Sequence, residues 1–243
     1  MTTKTAKTVA EIALETPRAA SLFEEFGIDY CCGGEKSLQE ACNDARVALA
    51  EVEAALQEVR DARESADARD WRAESLAQLV AHIVSFHHQY VRRALPRIEQ
   101  LLGTVLSAHG QKHHDLAKVQ RHFHVLADEM VRHMMKEEQV LFPYIISLED
   151  AAASGEAVAA PMFGTVKNPV RMMRAEHDAA GGELKEIRKL SKDYETPKDG
   201  CNSFRALYAA LEEFERDLHQ HIHLENNILF PRAEALEEQA GRQ

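Results

Sequence analysis

Hydrophobic residues recur at helical spacing along most of the chain and divide it into a few long segments. Four segments after Trp71 are each long enough for a helix of a bundle, and they cover residues 73–106, 111–148, 166–192 and 201–238. The small residues of 151–164 indicate a loop between the second and third segments. The pattern predicts an all-α protein in which residues 71–243 form a four-helix bundle.

A smaller helical domain is predicted before the bundle, over residues 1–43. Its first part is predicted to form two short amphipathic helices. Thr16 is the expected cap of the second helix, and Pro17 is its first-turn proline. Ser37 has the position of a cap for a further helix. Residues 44–70 are rich in charge and poor in large apolar side chains, which predicts a charged helix or tether between the two domains.

The second and fourth segments of the bundle contain the same motif. The pattern His-x-x-x-Glu-x-x-x-Leu-Phe-Pro begins at His133 and again at His221, 88 residues later. A further histidine precedes each copy, since His88 lies 45 residues before the first and His177 lies 44 residues before the second. These identities at fixed spacing indicate that the bundle is a duplicated helical hairpin.

The histidine and glutamate of each motif lie about 40° apart around a helix, because they are four residues apart. His133 and Glu137 therefore point in one direction, as do His221 and Glu225, and both pairs lie on apolar stripes. The stripe around His133 consists of Leu126, Met130 and Val140. A buried charged carboxylate is costly unless it is paired or coordinated. Two glutamates directed into a core therefore predict a metal site.

Four histidines and two glutamates exceed the ligands of one tetrahedral zinc ion. If both carboxylates bridge two ions, each ion receives two nitrogens and two carboxylate oxygens. An oxo or hydroxo bridge would make five donors, and one position on each ion stays open. Such ligation in a bundle suits iron, and manganese shares the preference. His87 lies on the apolar stripe as well as His88, so periodicity does not decide which one binds. The remaining histidines are expected to be solvated or to support ligands: His82, His109, His113, His114, His122, His124, His219 and His223.

Adjacent cysteines, Cys31 and Cys32, precede two glycines that predict a turn of unusual backbone. On an accessible turn these thiols are candidates for redox chemistry or iron transfer, whereas the alternative is a buried cysteine that acts as a small hydrophobe. Cys42 and Cys201 have no companion at a meaningful spacing and are expected to be ordinary thiols.

Composition and charge exclude several classes of function. The formal net charge of −11 repels a phosphate backbone, so nucleic acid is not expected as a partner. The chain contains no apolar run of about 20 residues, which predicts no membrane span. We expect a cytoplasmic protein, because the four cysteines do not form a disulfide pattern and the N-terminus lacks a secretory signal. No glycine-rich phosphate loop or nucleophile motif is present, so no organic cofactor is expected.

The motifs HMMKEEQVLFP, MRAEHD, HIHLENNILFP and GIDYCCGG together resemble the bacterial iron–sulfur cluster repair di-iron proteins. These proteins have a short N-terminal domain containing cysteine and a hemerythrin-like domain, and the likeness covers nearly the whole chain. The resemblance implies two non-haem irons with an oxo or hydroxo bridge, and bridging roles for Glu137 and Glu225. The implied ligands are His88, His133, Glu137, His177, His221 and Glu225.

The resemblance implies repair of iron–sulfur clusters damaged by nitrosative or oxidative stress, through iron donation, nitric oxide chemistry or both. Implied partners are damaged iron–sulfur proteins or the cluster assembly machinery, together with nitric oxide and oxygen. A homodimer through the small domain is left open. The alternative function is a carrier or sensor that binds oxygen or nitric oxide reversibly. A third interpretation is a scaffold in which glutamate and histidine only pair with each other.

Overall fold

A computed structural model describes residues 7–16, 18–31, 33–61, 70–155, 158 and 161–240. Every regular element within these ranges is helical, which confirms the all-α prediction. The chain divides into two compact units. The small unit consists of Met1–Glu74 and His219–Pro231, and the large unit consists of Ser75–Leu218 and Arg232–Gln243. Among the described helices, none has both the length and the apolar character needed to cross a bilayer.

The small unit begins with four helices. These are α1 (Val9–Glu15), α2 (Arg18–Glu25), α3 (Leu38–Ala45) and α4 (Leu49–Asp61). Ser37 caps α3 as predicted, because its hydroxyl accepts from the N–H of Glu40 and the Glu40 carboxylate accepts from the Ser37 N–H. Pro17, which was predicted to begin the second helix, lies outside the described residues.

Helix α4 lies in the segment that we predicted to be a charged helix or tether. The helix is present, but it packs against α2 and α3 and buries Val52 and Leu56 in the core of the small unit. The expectation that this segment lacks apolar anchors was therefore wrong, because two apolar side chains four residues apart are enough to fix one face of a short helix. Residues 62–69 of the predicted tether lie outside the described ranges.

The four predicted bundle segments are helical. Their helices are α5 (Leu76–His82), α6 (Gln89–His109), α7 (Leu116–Lys136), α8 (Phe142–Ser154), α9 (Lys167–Leu190), α10 (Asn202–Leu224) and α11 (Phe230–Ala240). Three π-helical turns connect α5 to α6, α7 to α8 and α10 to α11 without a break, and they cover Ile83–His88, Glu137–Leu141 and Glu225–Leu229. In each hairpin, the glutamate of the motif is thus the first residue of a π turn.

The two hairpins also use equivalent glutamates to cap helices. Glu149 accepts from the N–H groups of Leu76 and Ala77, at 2.6 and 2.9 Å, at the start of α5. Glu237, 88 residues later, accepts from the N–H of Val166 at 2.9 Å, at the start of α9. A carboxylate at a helix N-terminus satisfies its unpaired N–H groups and interacts favourably with the helix dipole. The repeat in the sequence is therefore also a repeat of tertiary contacts.

A buried ion pair stabilises the large unit away from the predicted metal ligands. Glu215 is 3% exposed, and it accepts from Arg188 Nη2 at 2.7 Å and from the Tyr194 hydroxyl at 2.9 Å. Burial of Tyr194 beside this carboxylate raises the pKa of the phenol far above its usual value.

We expect Arg188→Met to lower the free energy of unfolding by about 3 kcal/mol, because it leaves the Glu215 charge buried without its main partner. Urea unfolding monitored by circular dichroism measures this change. The double variant Arg188→Met/Glu215→Leu should recover most of the loss, whereas Lys189→Met, at an exposed pair with Glu186, should change stability by less than about 0.5 kcal/mol. Equal losses in the single and double variants would contradict the prediction.

Candidate metal centre

One buried carboxylate faces two imidazoles in the large unit. Glu137 is fully buried, with Oε2 at 3.4 Å from Nε2 of His88 and Oε1 at 3.3 Å from Nε2 of His133. His177 Nε2 lies 3.1 Å from His133 Nε2. The ligand atoms of His133, Glu137 and His177 all lie within 4.8 Å of one another. The large unit therefore brings together four of the six predicted ligands, and each oxygen of Glu137 is directed at a different histidine.

The π turns decide which side chains on these helices face inward. A π turn adds a residue to the helix, which rotates the residues that follow relative to those before it. Within the turn Glu137–Leu141, Leu141 is buried and Val140 is 47% exposed. We had placed Val140 on the apolar stripe of His133, and this was wrong because the prediction assumed an unbroken 3.6-residue period.

His88 is held by a carboxylate at its other ring nitrogen. Its Nδ1–H donates to Glu138 Oε1 at 2.6 Å, and Arg92 Nη2 donates to the same oxygen at 2.6 Å. Partial burial opposes ionisation of Glu138, but these two donors hold the pKa of the carboxyl below its usual value. The ring of His88 also stacks on Phe142, with centroids 5.7 Å apart. His88 is thereby oriented with Nε2 toward Glu137.

His133 is oriented in the same way. Its Nδ1–H donates to Glu176 Oε2 at 3.0 Å, and Lys136 donates to the other oxygen of that carboxylate. The bond from His133 is the main reason that the pKa of Glu176 is lowered to about 2, so this carboxylate is ionised at neutral pH. A carboxylate on one ring nitrogen of a histidine fixes the tautomer that presents the other nitrogen to a metal.

His87 has different surroundings, which sequence periodicity did not distinguish. Its Nδ1 lies 3.0 Å from Asp217 Oδ1, and its ring has edge contacts with His82 and Phe86. His88, in contrast, lies beside Glu137. The geometry therefore favours His88 as the ligand from this helix.

The second motif lies in the small unit. His221 and Glu225 are both fully buried, and His221 Nε2 is 2.9 Å from Glu225 Oε1. Glu225 begins a π turn, as Glu137 does in the first motif. The two copies of the motif are therefore alike in structure as well as in sequence. In both, the histidine and the glutamate are buried, the imidazole lies near the carboxylate, and the glutamate begins a π turn.

The loop with the adjacent cysteines differs from its prediction. Cys31 is 4% exposed, and its thiol donates to Asp29 Oδ1 at 3.4 Å, so it does not lie on an accessible turn. Cys32 lies outside the described residues. Gly34 is required for a close approach rather than for an unusual φ, because a Cβ there would lie 2.8 Å from the carbonyl oxygen of Tyr30 and 2.9 Å from Cβ of Ala10.

His223 was expected to be solvated or to support a ligand, and it is buried. It packs against Tyr30, with ring centroids 5.1 Å apart, and its Nδ1 accepts from Asn227 Nδ2 at 2.9 Å. Burial lowers the pKa of His223 to about 4, although a hydrogen bond to the backbone of Tyr30 opposes the shift. The ring is therefore neutral at physiological pH. This burial could not be predicted from local sequence, because it depends on a side chain about 190 residues earlier.

The donors in the large unit fit a transition metal. Three imidazoles and one carboxylate converge in a site where each residue is at most 1% exposed. Imidazole and carboxylate donors suit iron, manganese and zinc, and buried carboxylates require a compensating positive charge. The cluster is therefore a candidate metal site on its own chemistry.

Comparison with known proteins identifies the family. Residues 79–233 match the hemerythrin HHE cation binding domain. The chain belongs to the hemerythrin family. Residues 5–60 match a domain of unknown function, DUF542. The hemerythrin match includes all six predicted ligands, and the second match includes Cys31 and Cys32.

Relatives of this hemerythrin-family protein resemble it over nearly their whole length. Iron-sulfur cluster repair protein YtfE of Musicola paradisiaca is 38% identical, over 93% of this chain and 96% of that protein. The protein of the same name from Pectobacterium atrosepticum is 36% identical over the same shares. A probable iron-sulfur cluster repair protein of Haemophilus influenzae is 36% identical, over 92% of this chain and 95% of its own length. The resemblance drawn from the motifs is confirmed.

The hemerythrin-family domain contains an activated thiol that was not predicted from the sequence. Cys201 is exposed and directly precedes α10. A hydrogen bond with His109, aided by the backbone N–H groups of Phe204 and Ser203, lowers the pKa of Cys201 to about 7. The signal in the sequence was the position before a helix, where N–H groups stabilise a thiolate.

We expect alkylation of Cys201 by iodoacetamide to accelerate with a midpoint near pH 7, since the thiolate is the nucleophile. Mass spectrometry of the peptide containing Cys201 measures the rate as a function of pH. His109→Gln should move the midpoint upward. Cys42 serves as the internal control, because burial raises the pKa of its thiol and should keep it slow. A midpoint at about 8.5 in the unaltered protein would contradict the prediction.

Proposed function

We propose that His88, His133, Glu137, His177, His221 and Glu225 hold two non-haem irons in one centre, with Glu137 and Glu225 as bridges. The repeat supports this proposal, because both motifs bury a His–Glu pair and run into a π turn. Each iron would then receive two imidazoles and one oxygen from each carboxylate. An oxo or hydroxo bridge would add a fifth donor, and one position on each iron would stay open.

The observation that carries the proposal is the position of Glu137 between two imidazoles. Its two oxygens lie at nearly equal distances, 3.4 and 3.3 Å, from the nitrogens of His88 and His133. In a mononuclear site, one or both oxygens of the carboxylate would bind the same ion. A carboxylate whose oxygens face different histidines is suited to bridge two ions.

We infer that the protein supports repair of iron–sulfur clusters damaged by nitrosative or oxidative stress, in the cytoplasm. Its relatives are named for iron-sulfur cluster repair and resemble it over almost the full chain. The damaged iron–sulfur protein or the cluster assembly machinery would be the partner. Iron donated to a cluster would be a substrate of the repair, and nitric oxide or oxygen would bind at the open positions.

The residues around the centre have separate tasks in this function. Bound iron supplies redox chemistry and a coordination position for small ligands. Glu138 and Glu176 hold the Nδ1 protons of His88 and His133, so that Nε2 stays available as a donor. The burial of Glu137 excludes water from the bridge, which strengthens its electrostatic interaction with cations.

A reconstitution assay tests the proposal. A [4Fe–4S] enzyme inactivated by nitric oxide is incubated under anaerobic conditions with the iron-loaded protein and a thiol reductant, and the return of enzyme activity is measured. We expect recovery with the loaded protein and none with Glu137→Ala. Equal recovery with free ferrous iron at the same concentration would overturn a specific repair function.

A titration of the same iron-loaded protein with gas distinguishes repair from gas transport. Reversible optical spectra during titration with oxygen or nitric oxide, without loss of iron and without recovery of the damaged enzyme, would favour a carrier or sensor. If repair includes a thiol step, the variant Cys31→Ser/Cys32→Ser should be impaired in repair although it keeps its iron. Unchanged repair in that variant would remove the two thiols from the mechanism.

A further inference from the structure

The two copies of the ligand motif differ at the positions that follow the glutamate. Glu138 and Gln139 follow Glu137, whereas Asn226 and Asn227 follow Glu225. In the first copy, Glu138 accepts from the ring of His88 and from Arg92. The two copies thus differ at the residues that directly follow the two proposed bridging carboxylates.

Both asparagines of the second copy bind the backbone of the cysteine loop. Asn226 Nδ2 donates to the carbonyl oxygen of Cys31 at 3.4 Å, and Asn227 Nδ2 donates to the carbonyl oxygen of Tyr30 at 3.4 Å. Asn227 Oδ1 also lies near Gly34, at 3.5 Å from the place where a Cβ would be. The turn that begins at Glu225 is therefore attached to the loop by two consecutive side chains.

A third contact on the same helix reinforces this attachment. His223, two residues before Glu225, packs its ring on Tyr30 and accepts from Asn227. Tyr30 is 1% exposed and is itself fixed by a hydrogen bond from its hydroxyl to Glu24, at 2.8 Å. The loop is thus anchored in the core of the small unit and can hold the π turn rigidly.

We propose that the loop containing Tyr30 and Cys31 positions Glu225 through Asn226 and Asn227, and that this contact controls retention of the iron held by this carboxylate. The proposal rests on the di-iron centre proposed above. Because Glu225 is a bridge in that centre, both irons would depend on its position, and their release would require this contact to loosen.

Substitution of the asparagines by aspartate tests the proposal. Asn226→Asp/Asn227→Asp keeps the size of both side chains but replaces each N–H donor by an oxygen that faces a carbonyl oxygen. We expect both irons of the chain to transfer to the chelator ferrozine about 10- to 100-fold faster than in the unaltered protein. Mössbauer spectra of the ⁵⁷Fe-loaded variant should differ from those of the unaltered protein.

A control variant separates positioning from general damage. Asn168→Asp adds one negative charge, against two in the double variant, and removes a side-chain bond to the backbone, at Phe163, but it lies nine residues before His177 on α9. This control should release iron at the rate of the unaltered protein. Asn226→Ala provides a milder change if the double variant does not fold.

Each outcome has a distinct meaning. Faster release of iron in the double variant, with a matching change in the Mössbauer spectrum, supports the proposal. Unchanged release, or equal acceleration in Asn168→Asp, overturns it even when the unaltered protein binds two irons. Failure of the unaltered protein to bind iron would instead overturn the centre proposed above, and this inference with it.

Discussion

Glu137→Ala is expected to empty both iron sites at once. The carboxylate faces His88 with one oxygen and His133 with the other, so its removal would take one donor from each ion. It would also leave two cations close together with one bridging carboxylate instead of two, and their repulsion is strong in a buried site. Glu225→Ala should have the same effect, since it is the equivalent residue of the repeat.

Colorimetric iron analysis of the anaerobically purified variants measures this loss, and Mössbauer spectroscopy identifies any iron that remains. Glu186→Ala is the matched control, because this exposed glutamate pairs with Lys189 on its own helix turn, and the variant should keep both irons. Loss of one iron in each ligand variant would mean separate mononuclear sites. Full iron content in either variant would remove that glutamate from the centre.

Chelation of iron is expected to lower the thermal midpoint of unfolding by roughly 10 °C. A ligand present at a thousand times its dissociation constant stabilises the folded state by about 4 kcal/mol. In a domain of this size, each kcal/mol corresponds to a shift of about 2–4 °C. This free energy includes the cost of leaving the buried glutamates without their compensating cations.

Calorimetry before and after anaerobic treatment with a chelator measures the shift. The treated protein should recover its original midpoint when ferrous iron is restored. Glu137→Ala should unfold at the same temperature with and without the chelator, because it holds no iron to lose. Identical midpoints for loaded and stripped protein would mean that the His–Glu cluster is stable without metal, as the scaffold interpretation requires.

Much of the fold followed from local patterns. The four bundle segments were predicted from the 3.6-residue period, and the helices begin and end within six residues of each predicted boundary. The cap at Ser37 was predictable because the hydroxyl and the carboxylate that form it lie three residues apart. The repeat indicated which residues would share a function, since a duplicated motif preserves spacing.

Other features depended on contacts between distant residues. Val52 and Leu56 looked too sparse to anchor α4, but α2 and α3 supply the complementary surface. The surroundings of His87 and His88 differ because Asp217 and Glu138 are brought to them by other helices. The period of a single helix contains no information about the side chains that face it.

By itself the sequence determined the all-α class, the duplicated hairpin and the set of histidines and glutamates available for a metal, because these are properties of spacing along one helix. Only the tertiary structure decided that π turns shift the face after Glu137, that Cys31 is buried and that Asn226 and Asn227 bind its loop. The physical reason is that burial and hydrogen bonding are decided by partners far away in the chain, which become neighbours only when the helices pack.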